Sequence, residues 1–196
     1  MKNFEYPDGA TPLDPNELSG LKLDYITTRE ELNRWEQDNI NEAINWLEKR
    51  RNKKDILNQA FVKKLHKKMF EKVWSWAGSF RQTNKNIGVD KYVIGQELLL
   101  FLDDVKYWIE NQTYKPDEIG TRFHHRLVLI HPFANGNGRH ARLMADTLMT
   151  NILEASSFSW GSANLNTQGD VRRQYISALK SADNHDYSSL IEFVRS

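Results

Sequence analysis

The sequence predicts a mostly α-helical bundle with one small β excursion. From Thr28 onward, apolar residues recur at spacings of three and four over most of the chain. Helix-start signals stand at the heads of these runs: a capping-box pattern at Thr28 and Glu31, and Pro116 followed by Asp117 and Glu118. Only the stretch from Ser79 to Gly95 loses the helical period. A length of 196 residues, 39% of them apolar, fits one domain with a sizeable core.

The elements follow in order. Residues 1–27 carry Pro7, Gly9, Pro12, Pro15 and Gly20 ahead of any helical period, so they predict an extended N-terminal arm. Residues 28–196 form the single helical domain. Its first helix places Leu32, Trp35, Asn39, Ala43, Trp46 and Leu47 on one face. A second helix, N-capped near Asp55, carries Phe61, Leu65, Met69, Val73 and Trp76 and stops at Gly78. Phe80, Ile87, Val89, Tyr92, Val93 and Ile94 then sit among polar residues and Gly88, which predicts a β-hairpin. Helical spacing resumes from Leu98 to Ile109, from Pro116 to Ile130, from about Arg139 to Leu148, and near residues 170–182 and 188–194.

Composition removes several functions. With 27 Lys plus Arg against 26 Asp plus Glu, the formal net charge is +1, which gives no bulk attraction for nucleic acid or an anionic membrane. Without Cys there is no disulfide framework, thiolate metal site or cysteine nucleophile. The start of the chain lacks a signal-peptide pattern and no run approaches a membrane span, so a soluble, cytoplasmic protein is expected.

The chemistry concentrates in residues 131–142, His-Pro-Phe-Ala-Asn-Gly-Asn-Gly-Arg-His-Ala-Arg, between two predicted helices. Pro132 keeps its predecessor out of helical geometry, which puts His131 at a helix exit. Gly136 and Gly138 can adopt positive φ and turn backbone N–H groups inward as an anion nest, to which the next helix adds its positive N-terminus. Arg139 and Arg142 supply cationic forks for phosphate oxygens. Histidine is largely neutral at cellular pH, so His131 is a candidate general base for phosphoryl or nucleotidyl transfer. Asn-Gly-Asn-Gly alone also fits a tight hairpin turn. The flanking helices and the three functional side chains on the same dozen residues favour the anion site.

This segment resembles the signature of the Fic family, His-Pro-Phe-x-(Asp/Glu)-Gly-Asn-Gly-Arg-x-x-Arg, at every fixed position but one. Leu65-His66 through Phe70, Val73-Trp74-Ser75-Trp76-Ala77-Gly78 with Arg81, and the run from Tyr175 to Leu190 are similar to the family's flanking stretches. The form Phe-Ala-Asn-Gly-Asn-Gly-Arg-His-Ala-Arg resembles the subgroup called mobile mystery protein B. The resemblance implies a Fic-type helical bundle with a β-hairpin flap and a protein adenylyltransferase. His131 would take a proton from a target hydroxyl that attacks the α-phosphate of ATP. Gly136, Asn137 and Gly138 would hold the phosphates, and Arg139 and Arg142 would stabilise their charge. Phe133 would anchor the loop.

Asn135 stands where the family places an acid to ligate Mg²⁺. An amide oxygen can ligate that hard cation but brings no charge, so weakened metal capture is expected. Transfer of another phosphate-containing group, a charged ligand from another segment, and a non-catalytic ATP-binding regulator are the alternatives that this position opens. Lys85, Asp90, Lys91 and Tyr92 would select the target from the flap. Family inhibition through (Ser/Thr)-x-x-x-Glu-(Gly/Asn) has two imperfect counterparts, ending at Glu31 and Glu192. A small helix-turn-helix or antitoxin-like partner is the competing restraint. His124 and His125 lack zinc-motif spacing and read as supports of the loop, while His140 and His185 read as surface. The basic runs at 49–54 and 63–68 read as solvated faces.

Overall fold

The computed structural model describes residues 11–162, 165 and 169–196. Eight helices follow one another among them: α1 (Pro15–Leu18), α2 (Arg29–Glu48), α3 (Gln59–Phe70), α4 (Ile94–Glu110), α5 (Pro116–Ile130), α6 (Asn137–Asn151), α7 (Asp170–Asp183) and α8 (Ser188–Arg195). Helix α5 packs along α6, α2 along α3, α7 along α8, and α4 against α5. The α5–α6 pair is the centre of the bundle, and the His131-to-Gly136 loop joins it.

The capping box at the head of α2 forms as expected: Glu31 N donates to Thr28 Oγ1 at 3.2 Å, and Thr28 N donates to Glu31 Oε2 at 3.0 Å. The buried stripe beyond it runs through Leu32, Glu36, Asn39, Ile40, Ala43 and Leu47. Trp35 is 42% exposed, so the face assigned to it belongs to Glu36 one position on. Helix α3 is capped by Asn58, whose side chain accepts from Phe61 N at 2.8 Å, and not by Asp55. Asp55 serves that cap indirectly, accepting from Asn58 Nδ2 at 2.7 Å. The helix ends at Phe70, and Val73 and Trp74 stay buried in the turns that lead to Gly78.

Two elements differ from expectation. Among the described residues the 79–95 segment forms no β ladder. Side chains take the backbone groups a hairpin would pair: Arg81 donates to the carbonyls of Thr83, Val89 and His131, Asn84 Oδ1 accepts from Lys91 N, and Lys91 Nζ donates to Gln82 O. The loop is therefore stapled from within. The arm, outside its first ten residues, which lie beyond the described ones, is packed on the bundle. It makes one helical turn, α1, with a capping box between Asp14 and Glu17. Backbone bonds from Lys22 N to Val73 O at 2.9 Å and from Ser75 N to Gly20 O at 2.8 Å then fix it beside Trp74. Leu13 and Ile26 enter the core.

Candidate active site

Pro132 disfavours right-handed helical geometry at its predecessor, and helix α5 ends where His131 adopts a left-handed conformation with φ 53° and ψ 58°. That turn aims its ring into a cleft. Nδ1 lies 3.3 Å from Val128 O, a carbonyl that can only accept, so Nδ1 carries the proton and Nε2 the lone pair. Burial draws the ring down from the usual histidine value to about 4, opposed by the Val128 bond and reinforced by the charges of Arg81 and Lys85. His131 is thus neutral at pH 7, with its basic nitrogen facing the cleft.

The loop after His131 is held from three sides. Phe133 is fully buried and stacks on the His66 ring at 3.7 Å between centroids. Burial of a phenylalanine contributes about 2–3 kcal/mol, enough to tether a short loop. His66 itself donates from Nε2 to Asn135 O at 3.0 Å and accepts at Nδ1 from Gly78 N at 2.9 Å. The Asn137 side chain closes the loop on itself, accepting from Phe133 N at 2.9 Å and donating to Phe133 O at 2.7 Å. Those two bonds fix the amide in place and leave one Nδ2 hydrogen, with the backbone N–H of Asn137, for an anion.

Gly136 sits at φ 78°, and a Cβ there would come within 2.4 Å of the Phe70 ring, so glycine is required at this helix entrance. Helix α6 starts immediately after it. Its first N–H groups have no intrahelical acceptor, and Gly136, Asn137, Gly138 and Arg139 line the cleft beside His131. Arg142 completes that wall, its guanidinium drawn below the usual arginine range mainly by burial yet still cationic at neutral pH. Arg29, Arg172 and Tyr175 also line the cleft, and the sequence reading did not single them out as site residues. Their distance along the chain hid them, because only the packing of α2 and α7 brings them to α6.

Asn135 faces the same cleft, and behind it lies a fully buried carboxylate. Glu36 Oε1 accepts from Asn135 Nδ2 at 3.1 Å and from Trp74 Nε1 at 2.6 Å, while Arg139 Nη1 stands 2.7 Å from Oε2. Since the carboxylate claims the Nδ2 donor, Oδ1 is the Asn135 atom left for a ligand. A charged group from another segment does reach this position, but as a support behind the amide.

The remaining site expectations divide. The Lys85 side chain is 4% exposed and locked between Asp14 and Glu17, so it is not displayed to a target. Asp90 accepts from Tyr92 N and Asn84 Nδ2, and Lys91 is held by Gln82 O, which leaves Tyr92, 85% exposed, as the displayed side chain of that group. Glu31 is spent on the α2 cap, and the exposed Glu192 lines a different depression between α7 and α8. Neither reaches His131 or the arginines. His124 bonds Tyr175 OH at 2.8 Å and so supports the cleft from behind, whereas His125 meets Asp183 at 2.9 Å and Tyr187, away from the cleft lining. His140, expected at the surface, is fully buried and bonded to Val62 O at 3.0 Å. A carbonyl of α3 faces it because α6 crosses that helix.

Residues 56–149 match the model of the Fic/DOC family, a span that contains the loop, the base and the helix N-terminus just described. That segment is similar to the Fic/DOC family. The chain is 29% identical over 134 residues to "Protein adenylyltransferase fic-1" of Caenorhabditis elegans, covering 55% of this chain and 26% of that protein. The chain spans about a quarter of the length of the curated relatives it matches. Its fold is that of the N-terminal FIC domain of Bep8 from Bartonella sp. 1-1C, with a TM-score of 0.70 at 17% identity over 90% of both chains. BepC from Bartonella tribocorum, solved with bound AMPPNP, superposes with a TM-score of 0.67 at 16% identity, covering 97% of this chain and 93% of that one.

Proposed function

We propose that this chain is a protein adenylyltransferase, transferring AMP from ATP to a target-protein hydroxyl. One observation carries the reading: a neutral histidine presents its lone-pair nitrogen in the same cleft as a helix N-terminus and two arginines. That pairs a base for a hydroxyl with a cradle for a triphosphate. The adenylyltransferase name of the nematode relative and the ATP analogue in BepC support the choice of nucleotide.

In the reaction, His131 Nε2 accepts the hydroxyl proton as the oxygen attacks the α-phosphorus. The bond from that phosphorus to the bridging oxygen breaks, and pyrophosphate leaves. Negative charge grows on the leaving group, where Arg139, Arg142 and the first N–H groups of α6 are already oriented to meet it. Arg139 keeps donors for this task because Glu36 meets only one of its nitrogens. Asn135 Oδ1 and the phosphate oxygens would hold Mg²⁺, which supplies further neutralisation of the leaving pyrophosphate. Tyr92, standing out from the 81–93 loop, is the side chain suited to touch a target.

The use of ATP favours action in the cytoplasm, and a small antitoxin-like helix-turn-helix partner is the restraint that the resemblance of the motif to mobile mystery protein B suggests. Among the described residues no helix is long and apolar enough to cross a membrane. The test uses α-labelled and γ-labelled ATP with Mg²⁺ and a cell extract, beside His131→Ala. Label from the α position that falls by about a hundredfold or more in the variant is expected for a general base. Label from γ overturns AMP transfer in favour of another phosphate-containing group. ATP binding with neither label assigns a non-catalytic regulator, the outcome expected if Asn135 fails to capture the metal.

A further inference from the structure

We propose that Thr11 of the N-terminal arm is an acceptor in cis, so that the chain adenylylates itself there. The inference rests on the adenylyltransferase reading and adds to it a modification site. The first step is the orientation of the base. Val128 O fixes the proton on Nδ1 of His131, so the partner of Nε2 must be a donor. That partner is Thr11 Oγ1, 3.3 Å away. A hydroxyl of this chain therefore stands on the nitrogen that is to receive the substrate proton, at a separation that catalytic hydrogen bonds shorten when substrate binds.

The placement of Thr11 is built and not incidental. Leu13, two residues on, is buried in the core. Pro12 O faces Lys85 Nζ, and the same ammonium sits between Asp14 and Glu17. Thr83 Oγ1 donates to Glu17 Oε1 at 2.9 Å, and Trp76 Nε1 donates to Glu17 O at 2.9 Å. Lys85 and Thr83 belong to the loop that Arg81 binds to the carbonyl of His131. The arm is thus clamped to the element that also holds the base. Thr11 further lines the cleft together with Gly136, Gly138 and Arg142, which brings acceptor, base and phosphate cradle to one place. Holding the hydroxyl there replaces an encounter between two proteins with an intramolecular step.

The step balances. Thr11 Oγ1 forms a bond to the α-phosphorus of ATP, its proton passes to His131 Nε2, the bond to the bridging oxygen breaks, and pyrophosphate leaves. The product, a phosphodiester on Thr11, has no proton left to donate, so each chain reacts once at this position.

The test incubates the full chain with α-labelled ATP and Mg²⁺, with and without a cell extract, and locates the label by peptide mass spectrometry. Expected are label on Thr11, a first-order rate independent of protein concentration, retention in Thr11→Ser, and loss in Thr11→Val and His131→Ala. An unchanged unfolding midpoint for Thr11→Val confirms that the hydroxyl and not the fold was removed. His131→Ala mixed with Thr11→Val stays unlabelled if the step is in cis. His131-dependent label on extract proteins with Thr11 unmodified, or label on the chain elsewhere, overturns this proposal alone. No His131-dependent label on any protein overturns the adenylyltransferase reading and this proposal with it.

Discussion

At the scale of single residues, Glu36 explains why Asn135 can stand where the family signature has an acid. The Glu36 carboxylate is fully buried and needs donors on both oxygens, and Asn135 Nδ2 is one of them. An aspartate at 135 would remove that donor and set a second carboxylate against the first, at about the 3.1 Å that now separates Nδ2 from Oε1. Like charges so placed cannot both ionise cheaply. Asn135→Asp, the substitution that restores the family signature, is therefore expected to destabilise the fold by about 1–3 kcal/mol. Glu36→Gln supplies a donor where the carboxylate was, so Asn135→Asp with Glu36→Gln should be more stable than the sum of the single effects by about 1–2 kcal/mol. Urea unfolding of the four proteins measures this cycle, and strict additivity would sink the idea. The signal for Glu36 was present in the sequence, as a lone charge four residues from both Leu32 and Ile40 on the core stripe of α2. Tracing that stripe through Trp35 concealed it.

At the scale of elements, the 81–93 loop and the arm stabilise one another through one ammonium. Lys85 is nearly inaccessible and touches both Asp14 and Glu17, and its hydrogen bond, helped by one from Thr83, holds the Asp14 carboxyl below the usual carboxylate range. Lys85→Met leaves the two acids facing each other without a cation, so the arm should open locally while the bundle stays closed. Amide exchange over residues 13–20 is expected to quicken by about a hundredfold, with α5 and α6 unchanged. Equal exchange in variant and parent would mean that Leu13 and Ile26 alone hold the arm. The same contacts show where local sequence signals end. Starts written in neighbouring residues, Thr28 with Glu31 and Pro116 with two acids, were legible because the cap is a local hydrogen-bond pattern. The His131-to-Arg142 motif was legible for the same reason. The loop was not, because whether Phe80, Val89 and Val93 form a ladder depended on Arg81 reaching the carbonyl of His131, fifty positions away. Gly88 marks that approach, since a Cβ there would lie 2.7 Å from the His131 Cβ.

For the whole molecule, the near-zero net charge conceals an uneven one: arginines gather around a single cleft, while five of the six histidines are buried. His124 and His140 are pulled down to about 3 and His131 to about 4, and His66 and His125 are also lowered, in every case chiefly by burial. Their ordinary value near 6.5 applies once the chain unfolds. Below that pH the unfolded chain binds protons that the folded one refuses, so stability must rise with pH across this window. The contribution is complete above pH 6.5 and is lost as the pH falls toward the folded-state values. Each of the most deeply buried histidines is expected to remove on the order of 1 kcal/mol or more by pH 5. Carboxylates bound to cations, such as Asp117 beside Arg195, are lowered from an ordinary value near 3.8 and so contribute their own loss only in stronger acid. The unfolding midpoint in urea should therefore drop between pH 7 and pH 5, before the carboxylates titrate. Replacing the core histidine by His140→Leu should flatten that slope by close to one proton while retaining the fold. A midpoint that stays level from pH 7 to pH 5 would show that these rings are already charged in the folded state, and with them the base on which the proposed chemistry depends.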